Sequence, residues 1–380
     1  MEFDVVIIGA GASGVMCGSV IKDKRVAIID SGAKIAKKIM VTGNGRCNLT
    51  NANVTSEFYN TNIDRFLKRF DEKKTLEFFK KLGLVTYSDE EGRVYPISNS
   101  AKSVVDVLNF GLKENVSSFL NEKVSKVERI GGEFIVQTEK NTIRAKVLVV
   151  ATGGNSSQIL NQLGVKHREF APSLVSFKSD GTRDLNGVRL SNVLVKARNN
   201  FGEERSERGE VLFRENGLSG IVIFNLSTIF ARRGDFFGEV EIDVLPDIPL
   251  EKLTKMLAKR KELNIRLDKF FVGMFQNAVA NEIFKQSKTN TNILSTKLTE
   301  QDLLKLAKTI KGLRFKIIGH LENNQVFSGG VPLEELDENL MSKEIPNLYF
   351  IGEIVDVDGV CGGYNLQWAW TSGHIVGECL

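Results

Sequence analysis

Gly9, Ala10, Gly11, Ala12, Ser13 and Gly14 form the pattern G-x-G-x-x-G, which suits the diphosphate of a dinucleotide. The chemistry is steric and electrostatic. Gly9 permits a tight turn, a side chain at Gly11 would block the pyrophosphate, and Gly14 lets a helix pack close to a strand. The helix that follows offers unpaired N–H groups and a positive dipole end to the phosphates. Asp30, with Ser31 beside it, closes the next apolar run. Its carboxylate would accept hydrogen bonds from an adenosine ribose and repel a 2′-phosphate.

The fingerprint leaves NAD and FAD open. Two further glycine-bearing strand ends, Ala151-Thr152-Gly153-Gly154 and Gly352-Glu353, follow apolar runs. In FAD folds such turns close over the sugar, pyrophosphate and ribityl chain. After the second comes Asp356-Val357-Asp358-Gly359-Val360-Cys361-Gly362-Gly363-Tyr364-Asn365. Gly362-Gly363 would let backbone approach a flat ring closely. A helix starting there, aimed at the pyrimidine edge of an isoalloxazine, would stabilise the anionic reduced flavin. These segments select FAD.

The elements that must position these residues follow from periodicity. Val5–Ile8 and Val26–Ile29 are short, continuously apolar runs, as in strands buried on both faces of a parallel sheet. With a helix over Val15–Lys22 between them they make a right-handed βαβ unit. The spacing predicts a helix over 64–82, carrying Phe66, Phe70 and Phe79, and another over Ser103–Leu112. Lys123–Val127, Phe134–Thr138 and Thr142–Val150 read as strands. Residues 171–245 read as short strands, with a charged run at Glu203–Glu210. Residues 250–310 read as mostly helical, with stripes at Leu253, Met256, Leu257 and at Phe271, Phe275, Val279. Thr299 and Asp302 resemble a capping box. Strands return over 313–327 and at Leu348–Ile351, and a helix from about Tyr364 ends the chain. The fold class is α/β: a discontinuous Rossmann-like FAD-binding domain of the glutathione-reductase kind (1–170 and 325–380). Residues 171–324 form an inserted β-barrel-like plus helical domain, mainly β over 171–249 and mainly helical over 250–312.

The chain has 380 residues, enough for two or three domains. A net charge of +4 permits an anionic ligand, and Lys and Arg scattered among acids argue against nucleic acid. Cys17, Cys47, Cys361 and Cys379 make no C-x-x-C pair, and His167, His320 and His374 lie far apart, so no metal is expected. So few cysteines fit a reducing compartment. With no leader pattern and no apolar run of about 20 residues, the expected location is the cytoplasm and no membrane partner is expected.

Thr42-Gly43-Asn44-Gly45-Arg46-Cys47-Asn48-Leu49-Thr50-Asn51 and Asp358-Gly359-Val360-Cys361-Gly362-Gly363-Tyr364-Asn365-Leu366-Gln367-Trp368-Ala369 resemble the two signature segments of the bacterial YhiN/BaiN-like, or aminoacetone oxidase-like, FAD-binding flavoproteins. Gly92-Arg93-Val94-Tyr95-Pro96, Ser328-Gly329-Gly330-Val331 and Tyr349-Phe350-Ile351-Gly352-Glu353 match as well, so the resemblance runs from about residue 4 to 377. It implies FAD contacts at Gly9, Gly11, Ser13, Gly14, Asp30, Lys38, Gly43, Arg46, Cys47, Asn48, Val124, Ala151, Thr152, Gly153, Gly352, Glu353, Gly363, Tyr364 and Asn365. Val124 would offer backbone groups to adenine. The chain departs from the family pattern at Asp30, where Glu is usual, and at Asn44, where Gly is frequent. Phe213–Ile221 lacks the Thr-His and Pro that relatives carry near Gly-Leu-Ser-Gly, which leaves the substrate undefined.

Arg46 fits a cofactor charge partner. Cys47 and Cys361 fit thiols beside the flavin better than a redox disulfide, being far apart in sequence. Lys37 and Lys38 fit phosphate contact or a solvated pair, and Tyr364 a flavin contact or plain packing. Trp368 and Trp370 read as core. The function read from this is an FAD-dependent oxidoreductase whose flavin N5 accepts a hydride from a small-molecule substrate or NAD(P)H. With one dinucleotide fingerprint, a nicotinamide would bind transiently. Alternatives are an aminoacetone-type amine oxidase using O₂, and an FAD-bearing RNA-modification or nucleic-acid-binding protein.

Overall fold

Four successive apolar residues, Val5–Ile8, form the inner half of strand β1 (Glu2–Ile8) and are buried. The computed structural model describes residues 1–154, 156–321 and 326–380. The expected domain boundary at 324–325, and expected strand residues 322–325, lie outside the described residues. Contacts divide the chain into one unit of Met1–Pro172 with Asn324–Leu380 and a second of Ser173–Asn323.

In the first unit β1 lies parallel to β2 (Val26–Asp30) and to the strand Thr142–Val150, in register Val5↔Val26 and Val5↔Val147. Helix α1 (Ala12–Val20) links β1 to β2. The strand Val116–Leu120 extends the sheet beyond β2. The other edge of Thr142–Val150 is shared. Its first half pairs antiparallel with Glu133–Thr138, and its last residues pair parallel with Leu348–Phe350. The C-terminal helix Tyr364–Cys379 packs on α1 so closely that a Cβ on Gly373 would stand 2.5 Å from Ser13 O, and one on Gly377 2.7 Å from Cys17 O. The indole N–H of Trp368 donates to Gly352 O, and that of Trp370 to Leu49 O. Both rings are fully buried.

The second unit holds a closed antiparallel barrel in the order Phe177–Ser179, Gly217–Ser219, Glu204–Arg214, Arg189–Asn199, Phe237–Asp243, Leu313–His320. Its core includes Phe177, Phe213, Phe230 and Phe315. Helices Leu250–Lys261, Asn277–Ser287 and Glu300–Ile310 accompany it. Here the structure corrects several expectations. Ile221–Ala231 is a helix, not strand. Its run IVIFNLSTIFA is mostly apolar with no clean polar face, so periodicity alone cannot distinguish a buried helix from a strand. Met256 is exposed while Leu253 and Leu257 are buried. Phe271 and Phe275 precede the helix Asn277–Ser287 instead of lying on it. In the first unit the expected helix over 64–82 is two, Asp64–Leu67 and Glu72–Lys81. The Asp71 carboxylate accepts the Lys74 amide and starts the second.

The expected capping box is present. Thr299 Oγ1 accepts the Asp302 amide (3.1 Å), and the Asp302 carboxylate accepts the Thr299 amide (2.9 Å). That amide holds the Asp302 carboxyl below the usual range, so the cap weakens as pH falls through the carboxylate range. Thr299→Ala is expected to cost about 1 kcal/mol in urea unfolding, and less at acid pH. An unchanged midpoint at neutral pH would contradict this.

Candidate cofactor site

The loop after β1 opens onto a cleft of about 1160 Å³ in the first unit. Each glycine of the fingerprint has a distinct steric reason. Gly9 has φ +110°, and a Cβ there would stand 2.3 Å from Ala151 O. A Cβ on Gly14 would stand 2.0 Å from Gly9 O. A Cβ on Gly11 would meet no described atom within 4 Å, so that position faces open cleft. Gly11 caps α1 without a side-chain hydrogen bond, leaving the amino end of the helix available to an anion.

Ala10, Gly11, Ala12 and Ser13 line the cleft, as do Asp30, Ser31, Lys38, Val124, Ala151, Thr152, Gly153, Glu353 and Asn365. Gly9 joins them. The Asp30 carboxylate accepts the Ala10 amide (2.7 Å) and the Gly32 amide (2.6 Å). Each oxygen keeps a lone pair for a further donor. Glu122 and Lys123 precede Val124 on the cleft wall. The Asn141 carboxamide holds the Glu122 carboxyl below its usual range, helped by the Thr138 hydroxyl.

Glu353 gathers three segments. It takes the Gly154 amide (3.0 Å), the Phe327 amide (2.9 Å) and the Lys38 ammonium (2.9 Å). Lys38 thus stays exposed at the cleft with its ammonium paired to Glu353. One polar atom of the wall is left over: Thr152 Oγ1 is buried with no hydrogen-bond partner among the described residues. Buried polar groups are normally paired, so this hydroxyl fits a ligand group. Together with the open space at Gly11, it makes the cleft fit a dinucleotide cofactor.

The remaining expected residues lie outside the cleft lining. Gly14 backs the loop, and Gly352 backs Ser13, whose Oγ would be 2.4 Å from a Cβ there. Arg46 lies outside the lining. Its guanidinium stacks 4.4 Å from the Tyr95 ring centroid and its Nε donates to Gly43 O. Asn48, in the amide orientation that satisfies its neighbours, accepts the Gly363 amide and donates to Thr50 O. Gly363 must be glycine because a Cβ would meet Thr50 backbone at 2.5 Å. The Tyr364 ring stacks on Phe58 (4.4 Å), and its carbonyl accepts the Tyr59 hydroxyl. No disulfide joins Cys47 and Cys361. Burial pushes the Cys47 thiol from about 9 up to about 12, against a smaller opposing hydrogen bond with Thr42. Thr42, Phe327, Val357, Leu366 and Ala369 also line the cleft and were not foreseen. All stand within or beside the glycine-rich segments, which was the only signal available.

A family model described as HI0933-like protein Rossmann domain matches residues 3–379. A 3-dehydro-bile acid delta(4,6)-reductase of Clostridium scindens is 31% identical, covering 98% of this chain and 97% of its own. A ribosomal RNA dihydrouridine synthase of Escherichia coli is 30% identical, covering 100% of this chain and 98% of its own. Among solved structures, a 3-ketosteroid delta1-dehydrogenase from Sterolibacterium denitrificans has the same fold. It has a TM-score of 0.52 and 12% identity over 99% of this chain and 98% of that one. The cofactor is FAD.

Two glycine variants separate binding from folding. Gly11→Val is expected to leave a folded protein that retains FAD about tenfold less well or worse. Gly14→Val is expected to destabilise the fold itself by about 1–3 kcal/mol. FAD content after gel filtration and thermal melting of each apoprotein check this, and a Gly11→Val protein that keeps its FAD contradicts it. For Cys47, burial favours the protonated thiol. That contribution is full below pH 9 and lost as pH rises toward 12. Alkylation of native protein at neutral pH is therefore expected to label exposed Cys379 and spare Cys47, until denaturant is added. Equal labelling of the two in folded protein contradicts this.

Proposed function

Because the chain belongs to the HI0933-like family and is an FAD-dependent oxidoreductase, we propose that it saturates a carbon–carbon double bond conjugated with a carbonyl group. The observation behind this reading is that both named relatives match from end to end. A 3-dehydro steroid reduced at its 4,6 bonds and a uridine turned into dihydrouridine share that functional group. FAD, when bound, supplies hydride transfer at N5. The substrate gains a hydride and a proton, and NADH or NADPH, binding transiently, returns the hydride consumed. The amides opening α1 would hold the diphosphate, and Asp30, preset by its two backbone donors, would receive ribose hydroxyls. Val124 would meet adenine through its backbone, and Thr152 would offer the hydroxyl that has no partner among the described residues. Gly352, Gly363, Asn48 and Cys47 hold the surrounding backbone, while Ala151, Gly153 and Asn365 complete the wall.

A second reading places the conjugated bond in an RNA base. Residues 250–312 carry thirteen Lys and Arg against six Asp and Glu, while the whole chain has an excess of only four. Lys252, Lys255 and Lys259 lie exposed on the helix Leu250–Lys261, and Lys305 and Lys308 on Glu300–Ile310, which packs against it. Of these, Lys255 pairs with Glu251 on its own helix; in the barrel Arg198 pairs with Glu204, Arg208 with Asp247, and Arg233 with Glu203.

Anaerobic stopped-flow tests both readings. NADH or NADPH is expected to bleach the flavin, and a cyclic enone to restore its colour without O₂. Bleaching by small amines with recovery only in O₂ would replace this reading with an amine oxidase. RNA binding whose affinity falls steeply with salt supports the second reading; salt-independent or absent binding removes it.

A further inference from the structure

Val357 lines the cleft in a segment, 355–363, that leads into the C-terminal helix. The segment is buried at Asp356, Val357 and Asp358, each below 5% exposure, and it lies in no regular strand. Buried backbone outside regular structure must find its partners elsewhere. Here many come from one residue distant in sequence. Asn60 Nδ2 donates to Asp356 O (3.1 Å), and Asn60 Oδ1 accepts the Asp358 amide (2.9 Å). The Asn60 amide donates to Asp358 O (3.0 Å), and next to it Tyr59 bridges antiparallel to Gly359. The Asn60 carboxamide thus acts as an extra strand residue, gripping the backbone on both sides of Val357. The grip continues outward. Asn365 both donates to and accepts from Gly359, and Arg168 holds the Asp356 carboxylate at 2.8 Å.

We propose that Asn60 is a positioning residue for the cofactor: by clamping Asp356 and Asp358 it fixes the cleft wall at Val357 and the entry of the C-terminal helix. Asn60 is not itself part of the cleft lining, so it acts through the segment it holds. The geometry demands one donor and one acceptor at fixed spacing, which Asn provides. Asp at this position would turn an acceptor toward Asp356 O, and Ala would supply neither group. Asn60 is exposed as a residue, so water can replace its contacts and the variants should fold. The inference rests on FAD occupying the cleft and is independent of which substrate is reduced.

The test compares Asn60→Ala and Asn60→Asp with Asn62→Ala. Asn62 lies on the same loop, and its side chain contacts Asp64. Each apoprotein is titrated with FAD, and the flavin spectrum, fluorescence and midpoint potential of each holoprotein are recorded. Both Asn60 variants are expected to bind FAD about tenfold more weakly, equivalent to roughly 1.4 kcal/mol. Their bound flavin is expected to show a shifted potential and raised fluorescence, while apoprotein melting changes little. Asn62→Ala should match the parent in every readout. Folded Asn60 variants with unchanged affinity, spectrum and potential would overturn the proposal, as would an equal change in Asn62→Ala. If Asn60→Ala melts early, Asn60→Asp, which keeps the side-chain shape, decides by the same criteria.

Discussion

The cleft depends on backbone meeting backbone where β1 ends. The Gly9 carbonyl sits where a Gly14 Cβ would have to be, and the Ala151 carbonyl where a Gly9 Cβ would have to be. These two approaches bring the start of α1 against the sheet and leave its amino end without a side-chain cap. An uncapped helix end is an electrostatic site needing only an anion to complete it. The same helix is backed by the chain's other end, where Gly373 and Gly377 admit α1 backbone. The first twenty residues and the last twenty thus form one support for the cofactor, which is why the domain that holds it is discontinuous.

Preorganisation extends to the acids. Asp30 is oriented by two amides and Glu353 by two amides and a lysine. Neither carboxylate has to be ordered when the cofactor arrives, so less conformational entropy is lost on binding. The Thr152 hydroxyl is the exception, buried without a partner among the described residues. Catalysis of the proposed kind draws on this rigidity, because hydride transfer needs the flavin N5 and the accepting carbon held at close and constant distance.

Much of this was legible where local chemistry decides the outcome. The β1–loop–α1 unit, the closing Asp30 and the Thr299–Asp302 cap each depend on neighbours in sequence, and each stands as read. The N-cap at Asp71 was equally local, followed by Glu72 and Lys74, but a helical period running through Phe70 masked it. Other features depend on residues brought together only by the fold. Nothing in Arg46 shows that Tyr95 will lie under its guanidinium. Nothing in Glu353 shows that it will collect amides from Gly154 and Phe327. Ile221–Ala231 carries apolar residues on its partly exposed face as well, Ile221 and Phe224 among them, so its helical period is blurred.

Amide hydrogen exchange over residues 9–14, with and without FAD, tests this arrangement most directly. If the uncapped start of α1 receives the diphosphate, FAD slows exchange at Gly11, Ala12 and Ser13, while the barrel strand Arg189–Asn199 exchanges as before. Tight FAD binding with unaltered exchange at those three amides would show that the cofactor's phosphates lie elsewhere.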